Sequence, residues 1–286
     1  MYCREKSIGG YGLLIVLLKV FIIALIASIL APILGIGGGS IFVPLMDMFS
    51  GYDIKEIIPV SSANASAIAI RSSSKYLSKG IVNLKLAVIL VSLTIVGAFL
   101  GALVMIYTPR NILRGIFGVL LFYSSYKIFR RRKKTATVRY FEAQNRLFVD
   151  EYYDEAERTT IIYTPRNIKK GLPLFFVGGF ASGLLGIGGG VVYVTVLLLL
   201  FGVPPRVAVA VSMFLICFSA TTSAITYAAR GMLNIYLAAL AILGTYIGST
   251  IGSKIALKLK NEQLRKIFAI FLVLVGIRMI VVSILG

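Results

Sequence analysis

The sequence predicts an all-α polytopic membrane protein made of two inverted-topology repeats of about five helical segments each, with short helices broken by glycine. Three observations lead there. Of the 286 residues 58% are hydrophobic and the mean hydropathy is +0.91, well above the roughly 45–50% apolar content of soluble domains. The string Gly35-Ile36-Gly37-Gly38-Gly39 returns letter for letter as Gly186-Ile187-Gly188-Gly189-Gly190. The offset between the copies (186 − 35 = 151) then holds without a gap, pairing Val60-Ser61 with Val211-Ser212, Tyr76 with Tyr227, Asn83 with Asn234, Gly97 with Gly248 and Leu113-Arg114 with Leu264-Arg265.

In chain order, the first half offers apolar segments over 11–34, 40–49, 57–76, 84–106 and 112–129. The second half repeats them over 172–185, 191–201, 205–229, 235–257 and 264–285. About 20 residues cross a bilayer core, so the long unbroken segments span, while each glycine-broken pair contributes two crossings or, as a re-entrant hairpin, none, which leaves the parity unchanged. Helices follow, because only helices or closed barrels satisfy all backbone groups in lipid. Lys19 interrupts the first run, which continues to Leu34 and so reads as a membrane segment rather than a cleavable signal. The expected organisation is a first transmembrane repeat over 1–129, a charged connector over 130–170 and a second repeat over 171–286.

An odd number of elements per copy turns the second copy upside down, and the charges agree. Lys75 and Lys79 follow the third segment of the first half, where the second half has only Arg230. Arg110 and Arg114 flank the next connection, where the second half has Lys254, Lys258, Lys260, Arg265 and Lys266. The basic excess changes sides. The run Arg130-Arg131-Arg132-Lys133-Lys134 belongs in the cytoplasm by the positive-inside rule, which puts the connector there and both termini outside the cytoplasm, as a multi-pass protein of the cell (inner) membrane. The connector then turns acidic at Asp150, Glu151, Asp154, Glu155 and Glu157, and is read as a solvated linker in preference to a partner-binding element. The formal net charge of +19 is accounted for by anionic lipid headgroups, with no nucleic-acid partner.

The glycine runs are the first candidate site. Residues without side chains let the backbone curl into an anion-binding nest at a helix N-terminus, so Gly35, Gly37, Gly38, Gly39 and their counterparts Gly186, Gly188, Gly189, Gly190 are candidate ligands of an oxyanion, with the Ser40 hydroxyl beside them. Close helix packing is the competing reading; two identical turns in broken segments at matching positions of two halves favour binding. The third segment of each half adds polar groups to an apolar helix: Ser61, Ser62, Asn64 and Arg71, then Ser212, Thr221 and Thr222. Most such hydroxyls bond to their own helix. Arg71 is either an intramembrane anion ligand or a side chain reaching to the interface. Gly97 with Gly101 and Gly248 with Gly252 read as packing pairs.

Enzymatic chemistry has little to work with. There is no His among the residues, and of 11 acids only Asp47 adjoins a glycine-broken segment. No metal site, cofactor or disulfide framework is expected from Cys3 and Cys217. An enzyme acting on lipid headgroups and an uptake permease for a different anion stand as alternatives to export. Outward movement of one negative charge across an inside-negative membrane is favoured by about 2.3 kcal/mol per 100 mV, so export needs no coupling ion.

The Gly-Ile-Gly-Gly-Gly run followed by Ser40 and Pro44, the string Gly80-Ile81-Val82-Asn83 with its copy Gly231-Met232-Leu233-Asn234, and the late glycine pairs resemble the sulfite exporter TauE/SafE family of membrane permeases. The resemblance covers both halves and excludes the connector. It implies transport of small sulfur-containing or organic anions, sulfite and sulfonates among them. The second copy departs from the first at Val191 and Thr195, which stand where Ser40 and Pro44 do. The partners expected are a small anionic substrate and membrane lipids; the oligomeric state is left open.

Overall fold

The computed structural model describes residues 10–35, 37–116, 118–119, 148–154, 159–258 and 277. The segments expected over 112–129 and 264–285, much of the connector and both ends of the chain fall largely outside this set. The first half contains α1 (Gly10–Leu34), α2 (Gly39–Phe49), α3 (Ile54–Ser78) and α4 (Leu84–Tyr107), and the second α5 (Ile168–Leu185), α6 (Gly190–Leu199), α7 (Pro205–Ala229) and α8 (Ile235–Lys258). Four of these, α4, α5, α7 and most of α8, are long and apolar enough to cross a membrane. The outward faces carry large side chains, among them Val88, Val96, Phe99, Ile225 and Leu243, all exposed. The inward face of α4 carries Gly97, Ala98, Gly101 and Ala102. Large outside and small inside is the arrangement of helices that face lipid and pack closely with one another.

The Gly-x-x-Asn strings work as stop–start signals. Gly80 has φ +64°, and the Ile81 N–H donates to Tyr76 O at 3.1 Å, closing α3 with a Schellman turn. Three residues later Asn83 caps α4, its Oδ1 accepting from Leu86 N at 3.0 Å. The second copy does the same: Met232 N donates to Tyr227 O at 3.0 Å and Asn234 accepts from Leu237 N at 3.2 Å.

Contacts within the first half fix its direction. Lys19 Nζ reaches Phe49 O at 3.3 Å, so α2 doubles back along α1. Tyr76 Oη donates to Pro32 O at 2.8 Å near the far ends of α3 and α1. Asp53 meets Arg110 at 2.8 Å and Lys55 donates to Ile106 O at 3.1 Å, which joins the start of α3 to the end of α4. Between the halves, α4 lies along α5 and α1 along α8. A β-carbon on Gly97 would lie 2.3 Å from Phe176 O and one on Gly101 2.1 Å from Phe180 O; on Gly248 and Gly252 it would lie 2.5 Å from Leu25 O and 2.2 Å from Ile29 O. Residue numbers rise together in both pairs, so each pair of helices runs parallel. The late glycines are packing residues.

The connector corrects the all-α expectation. Asp150–Asp154 (β1) and Thr159–Tyr163 (β2) form an antiparallel hairpin. Its Tyr152 and Tyr163 are buried against a core that includes Ile81, Val82, Phe201 and Val203, and Asn83 Nδ2 donates to Phe148 O at 3.2 Å. An alternating strand pair with one apolar face needs a partner surface, and the ends of α3 and α6 supply it. Burial, then the Asp150 carboxylate, pushes the Tyr163 hydroxyl above the ordinary tyrosine range, against the opposing effect of Asn83.

Asp47, the acid beside the first glycine-broken segment, is held in an ion pair. Its side chain is 2% exposed and its Oδ1 accepts from Arg114 Nη2 at 3.0 Å and from Nε at 3.3 Å. Removing one partner of such a pair leaves a charge uncompensated. Asp47→Asn is therefore expected to lower thermal stability by about 3 kcal/mol, and adding Arg114→Gln to restore part of the loss; unfolding of both variants in detergent, followed by intrinsic fluorescence, measures this.

Candidate functional site

At the first break Gly35 has φ +69° and its N–H still bonds to Ala31 O at 2.9 Å; at the second Gly186 has φ +67° and bonds to Ser182 O at 2.9 Å. Each helix thus ends on a left-handed residue whose own carbonyl is released from the helix. Those carbonyls are satisfied by the opposite half. Ser61 Oγ on α3 donates to Gly186 O at 2.8 Å, and Ser212 Oγ on α7 donates to Gly35 O at 2.7 Å. Ser61 and Ser212 are themselves counterparts in the repeat. Two further carbonyls are capped nearby: Ser40 Oγ donates to Gly37 O at 3.1 Å and Ser219 Oγ to Gly188 O at 3.2 Å.

The two turns touch backbone to backbone. A β-carbon on Gly39 would lie 2.1 Å from Gly186 O, and one on Gly37 2.5 Å from Ile187 O. Each turn also meets the other half's third helix: Gly35 would clash with Val209 Cα at 3.0 Å and Gly186 with Ile58 O at 2.7 Å. Close approach accounts for these glycines without a ligand. What the turns leave over is donors: among the described residues the N–H groups of Gly39, Ser40, Gly190 and Val191 at the starts of α2 and α6 have no backbone acceptor, as in any helix first turn.

The other expected residues divide. Ser62 donates to its own helix at Ile58 O, and Thr222 to Phe218 O. Ser66 and Thr221 join α3 to α7, with hydroxyls 2.6 Å apart. Asn64 accepts from Thr245 on α8. Arg71 is on the exposed side, its guanidinium 5.0 Å from the Tyr246 ring centroid and its Nε 3.2 Å from Thr250 Oγ1. The turns and Ser61, Ser62 and Ser212 therefore come together, Asn64 and Thr221 instead join α3 to α8 and α7, and Arg71 and Thr222 lie apart.

Sequence reasoning missed several groups. Tyr193, the counterpart of Phe42, has a buried hydroxyl without a partner among the described residues, and it lies against Gly189: a β-carbon there would be 2.7 Å from the Tyr193 oxygen. A small, partly open cleft beside the first turn is lined by Ile33, Tyr76, Ile81, Pro205, Arg206, Val209 and Ala256. Arg206 brings a cation to its wall. Its signal was its place one residue into a long apolar helix, in register with Lys55.

Paired broken helices locked together inside a helical membrane protein define a membrane transporter by their architecture. The chain belongs to the sulfite exporter TauE/SafE family, whose profile matches residues 20–279. It is 30% identical over 267 residues, covering 91% of this chain and 95% of the relative, to the probable membrane transporter protein YunE of Bacillus subtilis. It is 24% identical, over 86% of this chain and 75% of the relative, to sulfite exporter TauE/SafE family protein 6 of Arabidopsis thaliana. The probable membrane transporter protein YdhB of Bacillus subtilis is 21% identical, over 82% of this chain and 88% of the relative. No solved structure matches. The protein is thus a multi-pass membrane transporter, and the alternative of an enzyme on lipid headgroups is set aside.

Gly38 and Gly189 occupy equivalent positions but will respond differently. Gly38 has φ −66°, and a β-carbon there would meet only the movable Ile68 Cδ1 at 2.1 Å; at Gly189, φ +74°, it would meet Gly178 O at 2.5 Å. Gly38→Ala should keep a folded yield near wild type, whereas Gly189→Ala should lose most monodisperse protein in size-exclusion chromatography.

Proposed function

We propose that the protein is a permease of the cell (inner) membrane that moves small oxyanions of the sulfite and sulfonate class outward, by alternating access of two inverted-topology repeats. One observation carries this reading: the third helix of each half holds the broken turn of the other, through Ser61 to Gly186 and Ser212 to Gly35. A rearrangement at one turn is thereby felt by the helix that lines the other. The inversion is supported by the directions of the helices. In the first half α2 returns along α1 and α3 then follows the direction of α1, so α4 opposes it; α5, the counterpart of α1, runs parallel to α4.

The bound oxyanion is assigned to the starts of α2 and α6, where Gly39, Ser40, Gly190 and Val191 offer N–H groups and each helix its positive end. Gly37, Gly38, Gly188 and Gly189 keep side chains out of the way, and Ser61 and Ser212 hold the two turns in place through the carbonyls of Gly186 and Gly35. In this contact state the turns are closed on one another, so anion entry requires the halves to part. The Arg206 cleft beside the first turn is the natural antechamber, its cation drawing an anion towards Val209 and Gly35. The substrate class follows the family's printed description, sulfite exporter, joined to a site of donors without acids.

Two measurements test the reading. Efflux of sulfite from inside-loaded proteoliposomes should rise as the interior is made negative and should be unchanged by a proton or sodium gradient at fixed potential; accumulation driven by a pH gradient alone overturns uncoupled export. With single cysteines introduced near the two termini and in the connector, membrane-impermeant labelling from outside should reach both termini and spare the connector. Labelling of a terminus only from the connector's side would remove the inverted topology.

A further inference from the structure

We propose a second site for the same R–SO3⁻ group, a row of neutral donors between α3 and α8 that lies on one side of the protein only; it rests on the oxyanion reading above. Asn64 and Ser72 share a stripe of α3 two turns apart, about 12 Å along the axis. Ser249 sits one turn beyond Thr245 on α8. Asn64, Ser72 and Ser249 are all 0% exposed, and Asn64 Nδ2, Ser72 Oγ and Ser249 Oγ have no hydrogen-bond partner among the described residues. Two contacts set the register: Thr245 donates to Asn64 Oδ1 and Arg71 Nε to Thr250 Oγ1.

Membrane helices normally settle such hydroxyls on their own carbonyls. That is what α7 does: Thr221, Thr222, Ser223 and Thr226 each donate to the carbonyl four residues back. Ser72 and Ser249 do not. A packing role would recur in the repeat, yet the counterparts of Asn64 and Ser249 are Leu215 and Ala98, Ser223 is bonded to Ser219 O at 2.9 Å, and Thr94 is bonded to Val91 O at 2.8 Å. Of the three unmet polar groups on one interface, two are thus replaced by apolar residues in its equivalent and the third is bonded there.

Their chemistry selects the ligand. The Asn64 oxygen is taken, leaving an N–H₂ that can only donate, and the two hydroxyls are free to donate; no carboxylate stands among them. Such a set suits an anion stripped of part of its hydration and offers a bare cation little. Ile68, between Asn64 and Ser72 on the same stripe, lies over Gly38, its Cδ1 2.1 Å from a β-carbon built there. The row thus passes the first turn at Ile68 and ends beside Arg71, which gives that exposed cation a function: it stands at the mouth and meets the anion there.

The test uses sulfite with the full-length protein, comparing Ser72→Ala, Ser249→Ala and the double variant with Ser223→Ala, the counterpart of Ser72 whose hydroxyl is already bonded. Proteoliposome efflux gives KM, and the sulfite-induced shift in unfolding temperature in detergent gives binding independently of flux. The expected result is a KM raised about fivefold by each single substitution and further by the double, with the sulfite-induced shift reduced, the unfolding temperature without sulfite equal to or above wild type, and Ser223→Ala unchanged. An unchanged KM and shift in the double variant overturns the row, as does a loss of flux that only tracks a loss of folded protein. If wild type carries no sulfite but shows the shift and the double variant does not, the site stands and the transport reading falls; if wild type shows neither, both fall.

Discussion

A backbone carbonyl freed from its helix inside a membrane has no water to turn to, and this is the constraint around which the protein is organised. Breaking α1 and α5 releases Gly35 O and Gly186 O where no solvent can reach them. The chain meets the demand by exchange, since each carbonyl is capped by a serine on the third helix of the other half. The hydroxyls of Ser61 and Ser212 are therefore structural necessities before they are anything else, and their positions oblige the halves to interlock. Neither half caps the carbonyl of the residue that ends its own broken helix.

Interlocking sets the packing. Because α1 lies along α8 and α4 along α5, the longest contacts run between halves, and they are lined by Gly97, Gly101, Gly248 and Gly252 so that backbones can meet. In lipid there is no hydrophobic gain from hiding large side chains from the surroundings, so close van der Waals contact between small residues holds the helices together. The large side chains face outward. The Asp47–Arg114 pair adds a buried charge contact between α2 and the chain beyond α4, so the short helix is held at its end as well as at its turn.

The halves share a plan but differ where chemistry matters. The second turn has left-handed residues at Gly188 and Gly189, and the first has one at Gly37 while Gly38 stays helical. Tyr193 stands where Phe42 does, Val191 where Ser40 does, and the unmet donors of α3 and α8 have no equivalent on α7 and α4. Transport needs two states of unequal exposure, and a structure with two identical sides would have no reason to handle the anion differently on each.

Much of this was written in the chain. The offset of the repeat, the glycine breaks, the stop–start strings at Gly80 to Asn83 and Gly231 to Asn234, and the boundaries of most helices follow from local rules: glycine adopts positive φ, asparagine caps, and apolar length matches the bilayer. The connector hairpin escaped because Asp150 to Tyr163 is mostly polar and becomes ordered only on a surface formed by the ends of α3 and α6. The pairing of Asp47 escaped because its partner Arg114 is far away in sequence. The same holds for the glycine turns, where the sequence determined that the backbone could bend but not what would touch it. Only the tertiary structure decided that Gly39 meets Gly186, that Ser61 and Ser212 cross over to cap the opposite breaks, and that Ser72 and Ser249 are left without partners. Turning a backbone is a local property of a residue, whereas satisfying a buried polar atom depends on which distant group packing brings within hydrogen-bond reach.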